Sequence, residues 1–192
     1  MSTAPVIGVL ALQGDFAAHR RAFDEIGAVT REVRTAAELA AVDALVLPGG
    51  ESTTILKLLE AESLTEPLRR FGATKPIFAT CAGAILLASE VSHPAQSSLG
   101  LVDIAVQRNA YGRQVHSTVA SVGLEDGGGQ VEAVFIRAPI IRRCGPGVHV
   151  LALYQGDPVL VSSGRHLIAT FHPELSGDRT IQRRFLASIT PK

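Results

Sequence analysis

The first half of the chain alternates short apolar runs with amphipathic stretches, and most changes of pattern fall at glycine or proline. Val6 to Leu12 is an apolar run too brief for a helix and is ended by Gln13-Gly14-Asp15, which predicts a buried strand. Phe16, Phe23 and Ile26, with charges between them, predict a helix from Phe16 to Ile26 that stops at Gly27. Val29 to Val33 alternates as a second strand, and Ala44 to Leu47, closed by Pro48-Gly49-Gly50, makes a third. Ser52-Thr53-Thr54 can cap a helix running through Ile55, Leu56, Leu58 and Leu59, with a further helix from Thr65 to Phe71. Pro76 to Thr80 reads as a strand and Gly83 to Ala88 as a helix, so Cys81 sits at a strand-to-helix junction. Beyond it come strand-like segments at Val102 to Gln107, Val115 to Val122, Val131 to Phe135, Val148 to Tyr154, Pro158 to Ser162 and Leu167 to Phe171, then a last helix from Arg179 to Ile189.

Alternating strands and helices imply a mostly parallel sheet covered on both faces, and the strand-rich second half implies an antiparallel extension. The expected fold is therefore α/β, a three-layer αβα sandwich with a mostly parallel central sheet. Gly127-Gly128-Gly129 marks a loop between strands of one pattern, so residues 1–192 are expected to form a single domain.

With 46% hydrophobic and 19% charged residues the composition excludes a disordered chain. The 18 basic and 18 acidic residues cancel, leaving no field to attract nucleic acid or an anionic membrane. No apolar run approaches the ~20 residues that span a bilayer, and Met1 to Pro5 has no basic region ahead of an apolar core. A cytoplasmic protein is expected. The two cysteines, Cys81 and Cys144, have neither metal-knuckle nor redox-pair spacing, and no histidine–cysteine cluster points to a metal.

In open α/β sheets ligands bind at the carboxyl ends of strands, which directs attention to Leu12-Gln13-Gly14-Asp15, Leu47-Pro48-Gly49-Gly50-Glu51-Ser52, Ala79-Thr80-Cys81-Ala82-Gly83 and Phe171-His172-Pro173-Glu174. The third has the small-x-nucleophile-x-Gly form of a nucleophile elbow. A helix N-terminus beside the Cys81 sulfur favours thiolate, and the N–H of Ala82 is placed to meet an oxyanion. An inert packed cysteine is the competing reading. The fourth segment tips the balance: His172 supplies a base and Glu174, two positions on, a carboxylate to orient it. Pro48-Gly49-Gly50 gives backbone able to approach a ligand closely, or a plain tight turn. Glu51 reads equally as an ordinary acid in a first helical turn. His19, His93, His116, His149 and His166 have no comparable context and read as surface or hydrogen-bonded histidines.

Taken together these residues resemble the class I, triad-type glutamine amidotransferases, and among them the glutaminase subunits of pyridoxal 5'-phosphate synthases. The resemblance covers nearly the whole chain. It rests on Gly8 to Asp15, Leu47 to Thr54, Thr80-Cys81-Ala82-Gly83, Arg108-Asn109-Ala110-Tyr111-Gly112-Arg113-Gln114, Phe135-Ile136-Arg137-Ala138-Pro139 and Phe171-His172-Pro173-Glu174-Leu175. It implies hydrolysis of L-glutamine through a thioester on Cys81, with His172 protonating the departing ammonia and Glu174 orienting His172. Gly50 and Ala82 would furnish the oxyanion hole, organised indirectly by Gln13, while Gly49, Gly50, Glu51, Ser52, Arg108, Ile136 and Arg137 would hold the substrate. No cofactor or metal is implied. The implied partner is a (β/α)8-barrel synthase subunit, in a large hetero-oligomer, that receives the ammonia. Two departures stand out: Ala79 replaces the glycine that usually opens the elbow, for which a slight shift of the turn is expected, and Tyr111 stands where phenylalanine is common. Service to another ammonia acceptor, such as imidazole glycerol phosphate synthesis, and a non-enzymatic cysteine redox sensor are the alternative readings.

Overall fold

The computed structural model describes residues 4–109 and 117–190. Its central sheet has seven strands. Four parallel neighbours form its middle: β1 (Val6–Leu10), β3 (Ala44–Leu47), β4 (Ile77–Thr80) and β12 (His166–Ala169). β2 (Val29–Val33) extends the sheet in parallel beyond β1, while β11 (Asp157–Ser163) and β10 (Val148–Tyr154) extend it antiparallel beyond β12. The register Val9↔Val46, Leu47↔Ala79 and Ala169↔Thr80 brings the carboxyl ends of β1, β3, β4 and β12 to one edge. That edge gathers all four segments singled out in the sequence.

Residues of period two divide between two cores. Leu45, Leu47, Ile77 and Ala79 face the helices α2 (Ala36–Ala40), α3 (Ser52–Ala61), α4 (Thr65–Thr74) and α5 (Ala82–Leu87). Ile7, Val9, Ala44, Val46 and Phe78 face the other way, onto α1 (Phe16–Asp24) and α6 (Thr180–Ile189). Phe23 of α1, Phe78 of β4 and Phe185 of α6 meet ring to ring in this second core, with centroids 5.4 to 6.3 Å apart. The result is the three-layer α/β sandwich expected.

The second half differs in detail. Only β10, β11 and β12 join the central sheet. β5 (Ala88–Ser92), β6 (Val102–Gln107) and β9 (Ile140–Cys144) form a separate three-stranded sheet, and β7 (Ser117–Gly123) pairs with β8 (Gln130–Ile136) as a ribbon across the Gly127-Gly128-Gly129 loop. The antiparallel extension is therefore two strands, and the other strand-like segments cover the faces of the sandwich. Among the strands and α-helices, α2, β5 and β9 escaped the pattern reading, each only five residues long and without a clear alternation or apolar stripe. α1 ends at Asp24 rather than Ile26, because the chain turns over Glu25 to Gly27 to start β2. The cap of α3 is Glu51, not the hydroxyls after it: its carboxylate accepts from the N–H groups of Thr53 and Thr54 at 3.2 and 2.8 Å, adding a charge suited to the helix dipole. Ala79 is fully buried and keeps register with Leu47 and Ile168, so its methyl is absorbed into the core. Val115, His116 and the segment Ala110 to Gln114 lie outside the described residues. Among the described residues no helix is long and apolar enough to cross a membrane.

Candidate active site

Cys81 caps the N-terminus of α5 with φ 48° and ψ −106°, a left-handed conformation that a side-chain-bearing residue adopts at a cost of about 1–3 kcal/mol. Neighbouring structure holds it there. The Cys81 N–H donates to the Ala169 carbonyl at 2.9 Å, fastening the turn to β12, and the Cys81 carbonyl accepts from Ala84 at 3.0 Å. The residue is 7% exposed, and its sulfur faces the Ile136 carbonyl at 3.9 Å.

β12 ends at Ala169 and the chain continues through Thr170 and Phe171 to His172, whose N–H donates to Val134 of β8 at 2.8 Å. A 3₁₀ turn over Pro173–Leu175 folds Glu174 back beneath the imidazole, 2.7 Å from Oε1 to Nδ1. Glu174 is buried. Burial works against its charge, but His19 and His172 outweigh it and hold the carboxyl well below the ordinary range. Burial likewise works against charge on His172, yet interaction with the Cys81 sulfur and with Glu174 pushes its pKa up to about 10. The imidazole is thus built to hold a proton beside sulfur.

Close approach of these two side chains needs glycine behind them. A Cβ on Gly49 would lie 2.4 Å from His172 Cε1 and 3.2 Å from Cys81 Cβ. Gly49 is itself buried and stands behind the pair rather than on the cavity wall. Gly50, at φ 150°, turns toward solvent, and a Cβ there would meet Gln13 Oε1 at 2.3 Å. That oxygen accepts from the Glu51 N–H at 2.9 Å, so the loop after β1 fixes the loop after β3.

Cys81 opens onto a cavity of about 270 Å³, close to the lower end of the ~300–1,000 Å³ usual for ligand pockets and fit for a molecule of amino-acid size. Gln13, Gly50, Glu51, Ser52, Ala82, Arg108, Ile136, Arg137 and His172 share its wall. Every site residue named from the sequence except Gly49 and Glu174 lines this cavity, and those two stand directly behind His172. Arg108 reaches across to Glu51 Oε1 at 3.3 Å and Thr53 Oγ1 at 3.2 Å, and Arg137 takes a left-handed backbone, φ 44°. Burial opposes charge on Glu51, but the N–H and hydroxyl of Thr54 and the N–H of Thr53 keep it below the ordinary carboxylate value. One wall therefore carries a fixed anion and two arginines.

Sequence reasoning missed His19, fully buried against Glu174 and Thr80, and Gln96, whose Oε1 accepts from Ser52 and Thr53 at 3.0 and 3.3 Å. The signal for His19 was its place on the apolar face of α1 with Ala18, Ala22 and Phe23. Nothing local marked Gln96. His166 is buried and structural: its Nδ1 accepts from the Ile77 N–H at 3.2 Å, and burial, then Arg165, lowers its pKa.

A cysteine on a strained strand-to-helix elbow, with histidine and glutamate just beyond the end of the adjacent parallel strand of an αβα sandwich, sits on the fold of the class I glutamine amidotransferases. Comparisons agree. A solved structure described as a glutamine amidotransferase is 45% identical, with a TM-score of 0.89 over 95% of this chain and 98% of that one. A protein from Thermotoga maritima solved as PurLQS, 15% identical with a TM-score of 0.71 over 98% of this chain and 100% of its own, shares the fold. Pyridoxal 5'-phosphate synthase subunit PdxT of Solibacter usitatus is 56% identical over 95% of this chain and 98% of its own length. The protein of that name in Koribacter versatilis is 52% identical over 95% of each. The SNO glutamine amidotransferase family matches residues 9–190, and the chain belongs to it.

Proposed function

We propose that this chain hydrolyses L-glutamine to L-glutamate and ammonia as the glutaminase subunit of a pyridoxal 5'-phosphate synthase, passing the ammonia to a (β/α)8-barrel synthase subunit within a large hetero-oligomer. The observation that carries the chemistry is that Cys81 and His172 share the wall of an amino-acid-sized cavity, with Glu174 bonded to the imidazole from behind. The acceptor is supported by relatives that carry the synthase-subunit name over nearly their full length.

In the reaction the Cys81 proton resides on His172 and the sulfur attacks the side-chain amide carbon. The S–C bond forms and the carbonyl π pair moves to oxygen, where the N–H groups of Gly50 and Ala82 receive it. Such donors contribute about 3–4 kcal/mol each to the transition state. Collapse breaks the C–N bond as His172 gives its proton to the departing nitrogen, releasing ammonia. His172, neutral again, takes a proton from water, the hydroxide attacks the thioester, and the C–S bond breaks as sulfur regains its proton. Glu174 keeps the imidazole oriented throughout. Arg108 or Arg137 is suited to the substrate α-carboxylate and Glu51 to its α-ammonium. A free reactive cysteine suits the reducing cytoplasm.

The experiment is glutaminase activity with and without the pyridoxal phosphate synthase subunit, for wild type and Cys81→Ala. Glutamate release that depends on both supports the reading. Stimulation only by an imidazole glycerol phosphate synthase would move the chain to another acceptor. Labelling of Cys81 by a glutamine-mimicking electrophile that excess glutamine fails to block would favour an oxidation sensor, which needs no histidine–glutamate pair.

A further inference from the structure

α1 buries a histidine that the reaction just described does not use. His19 is completely shielded from solvent on the apolar face of the helix, its ring edge-on to Phe78 at 6.3 Å between centroids. An apolar side chain would fill this place without the desolvation cost of an imidazole. Its Nε2 lies 3.1 Å from Thr80 Oγ1 and 3.4 Å from Glu174 Oε1, and that same oxygen receives His172 Nδ1 at 2.7 Å. Thr80, also fully buried, directly precedes the nucleophile. One nitrogen therefore touches both the strand that carries Cys81 and the carboxylate that orients His172.

An ionised carboxylate only accepts hydrogen bonds, so the nitrogen beside it must carry the proton; a bare lone pair there would face an anion. The tautomer assigned on this balance is Nε2–H, its hydrogen shared between Thr80 and, on a longer arm, Glu174. His19 Nδ1 and Glu174 Oε2 have no hydrogen-bond partner, so the carboxylate is held through Oε1 alone. We propose that His19 is a positioning residue of the triad, donating Nε2–H to the Glu174 carboxylate and fixing the oxygen that aligns His172. This rests on the reading of Cys81, His172 and Glu174 as a glutaminase triad. It gives α1 a part in the chemistry beyond packing.

The test compares His19→Leu, which keeps apolar volume and removes the donor, with His19→Gln, whose amide can return an N–H to the same region. Both are assayed with the synthase subunit present. His19→Leu is expected to lower kcat about 10- to 100-fold, the range for a hydrogen bond to a charged group, with KM for glutamine changed less than about twofold. The titratable groups around Glu174 are His19 and His172, with Cys81 beyond. Losing the His19 donor lets Glu174 protonate at higher pH, so the acid limb of kcat moves upward in His19→Leu and returns in His19→Gln. Wild-type kcat and pH profile in a folded His19→Leu would overturn the proposal, as would equal losses in both variants, the mark of packing alone. Should His19→Leu fail to fold, nitrogen-15 spectra of histidine-labelled wild type decide: a proton on Nε2 of His19, with or without a second on Nδ1, supports the assignment, and Nδ1–H with a bare Nε2 overturns it. Those spectra also separate the two claims, since a wild type that hydrolyses no glutamine refutes the triad reading whichever tautomer His19 holds.

Discussion

Gly49→Ala adds one methyl group at the most crowded point of the molecule's chemistry. The new Cβ would lie 2.4 Å from His172 Cε1, 3.1 Å from His172 Nδ1 and 3.2 Å from Cys81 Cβ, where carbon–carbon contacts normally settle at about 3.5–4.0 Å. Relief requires a movement of roughly 1 Å. Of the two side chains met, the His172 ring is the softer, since it can turn about its own bonds whereas Cys81 Cβ is fixed by a backbone fastened to β12. A misplacement of that size at a reacting centre costs on the order of 100-fold in rate. Overpacking costs about 1–3 kcal/mol of stability, or a fall of roughly 2–12 °C in Tm for a chain of this size. The assay pairs glutaminase kcat in the presence of the synthase subunit with thermal unfolding. The expected outcome is a folded variant with kcat down about 100-fold and KM little changed, because Gly49 stands behind the pair and off the cavity wall. A variant with wild-type kcat would refute the account of how Gly49 sets the Cys81–His172 approach.

Glu174→Gln removes the charge that helps raise His172, so its titration, followed by nitrogen-15 spectra, should fall well below the wild-type value of about 10, with kcat reduced. The same pair sets a pH window for stability. The raised pKa of His172 contributes fully below its ordinary 6.5 and is lost as pH climbs through about 10, whereas the lowered pKa of Glu174 contributes above 4.5 and is lost as pH falls. Denaturant midpoints should therefore decline on both sides of that interval in wild type, and in Glu174→Gln the alkaline decline should be smaller and end at lower pH. Arg108→Gln should raise KM for glutamine about 10- to 100-fold if its guanidinium meets the substrate carboxylate, which steady-state kinetics will check.

Much of this site was legible because parallel sheets bury their strands on both faces and place ligands at one edge. The runs of β1, β3, β4 and β12 are nearly unbroken apolar stretches, and the residues immediately after them are the ones that converge. Cys81, His172 and Glu174 could be named because each lies within a few residues of a strand end or of another of the three. What stayed hidden depends on pairing across long sequence separations. β9 joins β6 through contacts between residues some 35 positions apart, such as Val106 with Ile141, and its charged Arg142 and Arg143 erase the apolar signal. Gln13 was assigned an indirect part, but that its side-chain oxygen accepts from the Glu51 N–H follows only from the loops after β1 and β3 lying side by side. His19 was read without reference to the apolar stripe it completes, since a polar residue on such a stripe is explained only by what it meets across 155 positions, at Glu174.

The central claim is a covalent one, that glutamine's acyl group passes through the sulfur of Cys81. Acid quenching of the complex during glutamine turnover, followed by mass analysis of the protein, tests it directly. The account predicts a mass gain of one glutamyl group, located to the peptide containing Cys81 and absent from Cys81→Ala, which releases no ammonia. Ammonia release at the wild-type rate from Cys81→Ala, with no adduct on either protein, would contradict it.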